Sequence, residues 1–275
     1  FPFKVILKLE NQGETDVATS DALVSIKGFP PEDFGITDGS KLLNQNPETN
    51  LDRKQRGLDG DVVDGGTSFV RIPTGSTDAD FLEAKELSGN TEFPIRADIC
   101  YKYHTDGNAR LCILQDLIDV DSNDVCDPNK GDASFSSGSP IQFTNFKQSV
   151  DGKDSIRFSF DVVHSGNGEI YEALSTQTTP TCPKDDIRTS QVNENKVRLS
   201  IDVGAELGGT SGEGLNCNWD QDGFIRLEGG KRTLTCTIDL TGKHNTDFFK
   251  IIELDADFNY YDTKETSILV KHIPN

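Results

Sequence analysis

The chain has 275 residues, of which 34% are hydrophobic, and its formal net charge is −19. This length is sufficient for two ordinary domains, each with its own hydrophobic core. No apolar run approaches the roughly 18 residues that a transmembrane helix requires, so no membrane span is predicted. The strong negative charge disfavours nucleic acid and anionic membrane surfaces as partners, because both are themselves negatively charged.

The methionine and cysteine content of the chain indicates whether the protein resides inside or outside the cell. The sequence has no methionine, so we expect that a leader was removed or that the chain was cut from a longer one. It has an even number of cysteines and no Cys-x-x-Cys pair, which is typical of disulfide bonds rather than of zinc or redox sites. The sequence therefore predicts an extracellular or cell-surface protein. The six cysteines are Cys100, Cys112, Cys126, Cys182, Cys217 and Cys236.

The first ten residues, FPFKVILKLE, alternate apolar and polar side chains and predict a β-strand. The apolar side chains of Phe1, Phe3, Val5 and Leu7 would provide the specificity of an assembly contact through this strand. Such a strand could complete a sheet of another copy, as in donor-strand exchange, and head-to-tail repetition of that contact gives an open fibre. The alternative is that it is the first strand of its own sandwich, and the sequence does not distinguish the two.

Two more strands are predicted in the first hundred residues, at residues 22–28 and 67–72, because both stretches are rich in β-forming side chains. Residues 35–63 lie between them and are polar, with many Asn, Asp and Gly. This composition predicts a long loop with little regular structure.

Residues 97–113, ADICYKYHTDGNARLCI, predict a β-hairpin. Apolar and polar side chains alternate along both arms, and residues 105–107, Thr-Asp-Gly, have the composition of a three-residue turn with Gly107 in the left-handed conformation. Closing the turn there pairs Tyr103 with Ala109 and places every apolar side chain on one face. A two-residue loop would mix the faces, so the longer turn is the preferred prediction.

The same pattern recurs near the end of the chain. Residues 254–270 align with residues 97–113 without a gap, at an offset of 157 positions (254 minus 97), and their apolar positions coincide. A second hairpin is therefore predicted there. A second similarity relates residues 5–17 to residues 156–171. In each stretch a predicted strand of alternating apolar and polar side chains is followed by a polar turn with glycine. The two pairs predict a duplicated unit of about one domain in size.

The acidic and then Gly/Ser-rich stretch from residue 119 to residue 140 is the best candidate for an interdomain linker. We therefore divide the chain into a first domain, residues 1–133, and a second domain, residues 134–275. Helical periodicity is nearly absent, and short strands separated by turns predict an all-β fold of two tandem antiparallel Ig-like β-sandwich domains. Further strands are predicted at residues 141–146, 155–163, 197–203, 224–227 and 233–238.

Three cysteines lie in each half, so an odd number of bridges crosses between the halves if all six are paired. The hairpin register places Cys100 opposite Cys112, which suits a cross-strand bridge. A bridge from Cys112 to Cys126 around the acidic loop is the competing possibility.

Cys217 and Cys236 flank the strand predicted at residues 224–227 and are expected to pair. Cys182 would then take the odd partner from the first half. Six cysteines allow many connectivities, and the sequence alone does not choose among them.

One loop has the oxygen spacing of a calcium site. In residues 218–225, NWDQDGFI, the side chains of Asn218, Asp220 and Asp222 occupy the first, third and fifth positions and a glycine follows, as in EF-hand-like loops. Ca²⁺ is therefore a candidate ligand, although Gly229 stands where an EF-hand has its closing glutamate. A second acidic loop, between residues 119 and 127, repeats the spacing without the glycine. The alternative for both loops is a solvated turn.

Several motifs support a resemblance to surface proteins. Three stretches resemble the N-x-G start of CARDB and related Ig-like modules of archaeal and bacterial surface proteins. They are LENQGETDV, the following ALVSIKGFPPE, and the similar later stretch VVHSGNGEIYEA. A larger set of motifs, taken together, is similar to secreted, membrane-anchored proteins of small-genomed archaea. These motifs are CYKYHTDGNARLCI, FSFDVVHSGNGEIY, Cys182-Pro183, LNC, IRLEGGKRTLTC and LDADFNYY. The resemblance covers most of the chain and all six cysteines. It implies a cell-surface protein of two sandwiches, without a known activity; those proteins carry a leader or anchor helix ahead of the first strand.

No common catalytic or nucleotide-binding motif is present, and the histidines show no metal-ligand spacing. We therefore interpret each histidine as a surface or turn residue and do not expect an enzyme. The four histidines are His104, His164, His244 and His272.

The sequence favours an extracellular structural protein, a self-assembling subunit of a cell-surface filament whose partners are copies of itself. The alternative is a monomeric module for adhesion or carbohydrate binding. Trp219, the only tryptophan, would be its aromatic platform, although a buried Trp219 is the competing interpretation. A viral coat or tail component is a third possibility.

Overall fold

A computed structural model describes residues 2–57, 59–75, 77, 81–85, 89–121, 124–131, 134–174, 177–183, 187–207, 214–219, 223–243 and 245–272. Strand accounts for 52% of the residues, helix is minor, and the sheets are antiparallel, so the prediction of an all-β fold is confirmed.

The strands are, in chain order, β1 (Val5–Glu10), β2 (Ala22–Lys27), β3 (Gln55–Arg56), β4 (Val62–Val63), β5 (Thr67–Ile72), β6 (Thr91–Ile113), β7 (Phe135–Ser136), β8 (Ile141–Gly152), β9 (Ser155–His164), β10 (Glu169–Glu172), β11 (Lys196–Asp202), β12 (Leu215–Cys217), β13 (Phe224–Arg226), β14 (Lys231–Asp239) and β15 (Phe248–Val270). A short helix, α1 (Ile187–Asn193), precedes β11, and 3₁₀ turns lie at Thr19–Asp21, Pro31–Phe34 and Gly39–Leu42.

The chain forms two compact units. Unit 1 combines residues 1–102, 174–184 and 259–275, and unit 2 combines residues 103–173 and 185–258. Each unit thus draws on separate stretches of chain, a different division from the single boundary after residue 133 that the linker pattern predicts. Strands β6 and β15 each contribute residues to both units.

Two of the antiparallel pairings in unit 1 contribute to the surroundings of an aromatic cluster. β1 pairs with β5, from Val5 opposite Ile72 to Glu10 opposite Thr67. β2 pairs with β6, whose other neighbour is β15. The ring of Phe34 is fully buried and packs edge-on against three other phenylalanines. Those three are Phe3, Phe29 and Phe93, with ring centroids 6.1, 4.8 and 4.9 Å from that of Phe34.

Unit 2 contains strands of two antiparallel sheets. One sheet has the strand order β12–β14–β9–β8, and the other has β13–β11–β15–β6, with β10 beside β15 and β7 beside β6. Alternate residues of these strands are apolar and buried, which is the pattern of sheets with one face on the core. The largest buried side chains of this core include Phe158, Phe160, Tyr171, Leu111, Ile113 and Phe258.

The two predicted hairpins are wrong. β6 is one continuous strand that passes straight through residues 105–107, and β15 is equally continuous through residues 254–270. Gly107 is buried in β6, where an added Cβ would lie 2.4 Å from Cδ2 of Phe143. The glycine is therefore needed for the close approach of the Phe143 ring and not for a turn.

A buried glutamine connects β6 to β8 in unit 2. The amide of Gln148 accepts a hydrogen bond from the N–H of Cys112 (2.8 Å) and donates one to its carbonyl oxygen (2.7 Å). Gln148 is only 5% exposed, so water cannot easily replace it. One side chain thus satisfies both backbone groups of a residue near the end of a long strand.

We expect the substitution Gln148→Ala to lower the free energy of unfolding by about 1–3 kcal/mol, because it leaves both backbone groups of Cys112 unsatisfied in the core. Chemical denaturation of the two proteins measures the difference. Gln55→Ala, at an exposed position of β3, is the control and should change stability by less than about 0.5 kcal/mol. Equal effects of the two substitutions would contradict this role of Gln148.

All six cysteines are paired, as Cys100–Cys182, Cys112–Cys126 and Cys217–Cys236. The predicted pairs of Cys217 with Cys236 and of Cys182 with a first-half cysteine are confirmed. The pairing of Cys100 with Cys112 is wrong, because the two residues lie on the same straight strand and cannot face each other across a turn. The competing pair, Cys112–Cys126, is the one that forms.

The bridges should differ in their effect on stability. Cys100–Cys182 spans 82 residues and Cys112–Cys126 spans 14. In the chain-entropy description, removal of the first costs about 4.5 kcal/mol and removal of the second about 3 kcal/mol, since the longer loop restricts the unfolded chain more. Denaturation of the two double Cys→Ala variants tests this order, and a larger loss from removing Cys112–Cys126 would contradict it.

Candidate functional site

The predicted assembly strand is paired within its own chain. Val5 and Leu7 lie in β1, opposite Ile72 and Val70 of β5. Phe3 extends the pairing by a separate bridge to Leu82, with N–H···O distances of 2.9 and 2.8 Å. Phe1 lies outside the described residues.

The sheet of β1 and β5 has an inner and an outer face. On the inner face, Val70 and Ile72 are at most 1% exposed and Val5 and Leu7 are half-buried. On the outer face, Ile6 is 58% exposed. The same alternation that predicts the strand therefore sorts its side chains by face.

The outer face carries aromatic and basic groups beside the exposed Ile6. Phe69 is 39% exposed, and the Arg71 guanidinium lies 6.0 Å from the centroid of its ring. Arg71 also forms an ion pair with Glu48. This face is therefore mixed in character, with apolar surface partly covered by a charged side chain.

β1 is an edge strand. β5 is its only strand partner among the described residues, whereas the far side of β5 is covered by Glu48, whose N–H donates to the carbonyl of Phe69 (3.0 Å). An edge strand presents backbone N–H and C=O groups that can pair with another strand. This edge of unit 1 is therefore of the kind that can pair with another extended chain.

The predicted calcium loop lies partly outside the described residues. Asn218 continues the pairing of β12 with β14: its N–H donates to Thr235 O (3.0 Å) and its side-chain oxygen accepts from Thr235 N (2.8 Å). Asp220 and Asp222 fall outside the described residues, so a Ca²⁺ site there stays a prediction. Trp219 is half-buried beside Asn218.

In the second acidic loop, Asp127 caps a turn by accepting a hydrogen bond from Asn129 N (2.9 Å), and the Asp121 N–H donates to the carboxylate of Asp124 (2.7 Å). These contacts are those of a solvated turn. Asn123, which the ligand spacing includes, lies outside the described residues.

A cluster that the sequence interpretation missed lies on the outer face of β6 and β15 in unit 2. It consists of His104 and Asp106 from β6 and Asp255 and Asp257 from β15. The His104 Nδ1 lies 2.7 Å from Oδ1 of Asp257, and its Nε2 lies 3.1 Å from Oδ1 of Asp106 and 3.7 Å from Oδ1 of Asp255. We call these four residues the His104 cluster.

The electrostatics of the His104 cluster follow from three carboxylates around one imidazole. Hydrogen bonding to Asp255 and Asp257 favours the imidazolium and raises the pKa of His104 to about 10, against the opposing effect of its partial burial. The sequence carries a signal for the cluster, His-x-Asp at residues 104–106 and Asp-x-Asp at residues 255–257. These two motifs form one cluster only because β6 lies beside β15. The hairpin predictions folded each stretch back on itself and therefore did not place the two stretches side by side.

Comparison of the chain with protein-family models, with curated proteins and with solved structures found no match in any of the three. Within the part of the chain that the structure describes, no helix has the length and apolar character needed to cross a membrane.

We expect Val70→Ala to lower the free energy of unfolding by about 1.5–3 kcal/mol, because Val70 is 1% exposed and faces Leu7 across the β1–β5 pair. Val63→Ala is a matched control, since Val63 of β4 is 60% exposed, and should cost less than about 0.5 kcal/mol. Denaturation of both variants gives the comparison. A negligible loss for Val70→Ala would mean that β1 is not docked on β5 in solution.

Proposed function

We propose that this protein is an extracellular structural protein that assembles with copies of itself by exchanging strand β1. In the assembly, β1 of one copy pairs with β5 of the next copy in the register that it has within a single chain. The observation that carries the proposal is that β1 is an edge strand with a single strand partner among the described residues.

The extracellular location rests on the cysteines. Three disulfide bonds pair all six of them, and such bonds form and persist in oxidising compartments. The strongly acidic composition is consistent with a protein that stays soluble outside the cell before it assembles.

The proposal includes the finer description of the fold as two Ig-like sandwiches, as in the CARDB-type modules that the sequence resembles. In support, the sheets of the chain are antiparallel and unit 2 has two sheets with apolar inner faces. Sandwiches of this kind are common building blocks of surface structures because their strands can be extended by strands of a neighbour.

Exchange of β1 requires no new type of contact. The inner side chains Val5 and Leu7 would occupy, on the next copy, the positions opposite Ile72 and Val70 that they occupy in a single chain. The six residue pairs of β1 with β5 and the bridge between Phe3 and Leu82 have to separate. Each copy gives one strand and receives one, and the contact repeats as an open fibre when a copy receives its strand from one neighbour and gives its own strand to another.

The proposal predicts filaments with a specific cross-link between copies. Lys8 and Phe69 are direct partners in the β1–β5 pair and their side chains lie on the outer face, so cysteines at these positions would be close enough to bridge. We would mix chains carrying Lys8→Cys with chains carrying Phe69→Cys, allow assembly, oxidise mildly and run a non-reducing gel. Strand exchange should give a covalent dimer that contains one chain of each kind.

The matched control mixes Lys8→Cys chains with Val63→Cys chains, because Val63 is exposed but belongs to a different strand pair. This mixture should give no covalent dimer above the background of Lys8→Cys chains alone. Electron microscopy of the same samples reports whether filaments form. Filaments without the Lys8–Phe69 cross-link would overturn strand exchange, and the absence of any assembly from concentrated, non-reduced protein would overturn the structural function.

A further inference from the structure

We infer that the His104 cluster is a binding site for a divalent transition-metal ion, with Zn²⁺ the best-suited ion. The ligands are His104 Nε2, which releases its proton to solvent when the ion binds, and one carboxylate oxygen each of Asp106 and Asp255. This inference goes beyond the proposed function and does not depend on it, since none of the cluster residues belongs to β1 or β5.

The donor set indicates the class of ion. One imidazole nitrogen with two carboxylate oxygens is a set that Zn²⁺ binds, commonly with water in the fourth position. Ca²⁺ and Mg²⁺ prefer sites built from oxygen alone, and Ca²⁺ needs more ligands than this cluster offers. The imidazole therefore distinguishes this cluster from the many acidic surface groups of a chain with a net charge of −19.

Two of the three distances between the donor atoms are close to the separation of ligands around a tetrahedral ion. His104 Nε2 lies 3.1 Å from Asp106 Oδ1 and 3.7 Å from Asp255 Oδ1, and the three donor atoms all lie within 4.8 Å of one another. An ion with bonds of about 2.1 Å to tetrahedral ligands separates them by about 3.4 Å. Small side-chain rotations are therefore sufficient to complete the coordination.

Asp257 orients the imidazole. Its Oδ1 lies 2.7 Å from Nδ1 of His104, which leaves Nε2 directed at Asp106 and Asp255. A carboxylate on the nitrogen that does not bind the metal is the usual arrangement around ligating histidines, where it fixes the ring and makes the other nitrogen more basic. Asp257 is thus a positioning residue and not a ligand.

The strands provide a rigid support. His104 and Asp106 are two apart on β6, and Asp255 and Asp257 are two apart on β15, so each pair projects from one face of the sheet. The residues between them, Thr105 and Ala256, are fully buried on the opposite face. Paired strands hold ligands more firmly than loops do, which lowers the cost of ordering them on binding. Within the described residues no second group of this kind is present.

The test is titration of the full-length, disulfide-intact protein with ZnCl₂ by isothermal calorimetry, in a buffer that does not chelate metals. We expect one saturable site per chain. His104→Gln, Asp106→Asn and Asp255→Asn should each weaken binding at least about 100-fold, whereas Asp257→Asn should weaken it about 10- to 100-fold. His272→Gln and Glu265→Gln, at exposed positions that are not part of the cluster, should leave the affinity unchanged.

Two further measurements keep the result independent of folding. Circular dichroism spectra identify any variant that is not folded, and only folded variants are compared. NMR of the unsubstituted protein, with ¹⁵N in the histidine rings, should show Zn²⁺ on Nε2 of His104 and a proton on Nδ1. Absence of a saturable site, binding that persists unchanged in the folded cluster variants, or displacement of Zn²⁺ by equimolar Ca²⁺ would each overturn the inference.

Discussion

The pairing of β6 with β15 is the constraint on which most of the structure depends. Each strand has 23 residues, and both ends of β15 lie 157 positions after the corresponding ends of β6 (248 minus 91 and 270 minus 113). In unit 1, β2 pairs with β6, and in unit 2, β11 pairs with β15. The internal repeat seen in the sequence is therefore the repeat of two strands that lie side by side.

Alternation along the chain predicted nearly all of the main strands, because a half-buried strand needs apolar side chains at every second position. It could not distinguish a straight strand from a hairpin at residues 105–107. With a three-residue turn, Tyr103 and Ala109 share a face, and they share the same face when the strand runs straight. In the straight strand Gly107 lies against the ring of Phe143, a contact between residues far apart in sequence that the local pattern does not contain.

The same lack of long-range information limited the prediction of sites. Cys112 had two plausible partners, and only the straight course of β6 excludes Cys100. His104 and Asp257 are 153 positions apart, and the sequence around either residue does not indicate that the other lies close to it in space. The edge strand β1 was easier to predict, because its pattern is local. Local patterns thus predicted elements, while the relations between elements came from the three-dimensional structure.

Strand exchange and metal binding would use different parts of the chain for physical reasons. Among the described strands β1 pairs only with β5, and neither of these two strands pairs with β6 or β15. The His104 cluster instead draws its ligands from β6 and β15 themselves. An ion bound only by the folded chain stabilises that chain by mass action, and here the stabilised element is the pair of central strands. Assembly through β1 therefore requires a labile edge, whereas the metal site requires two strands that do not move apart.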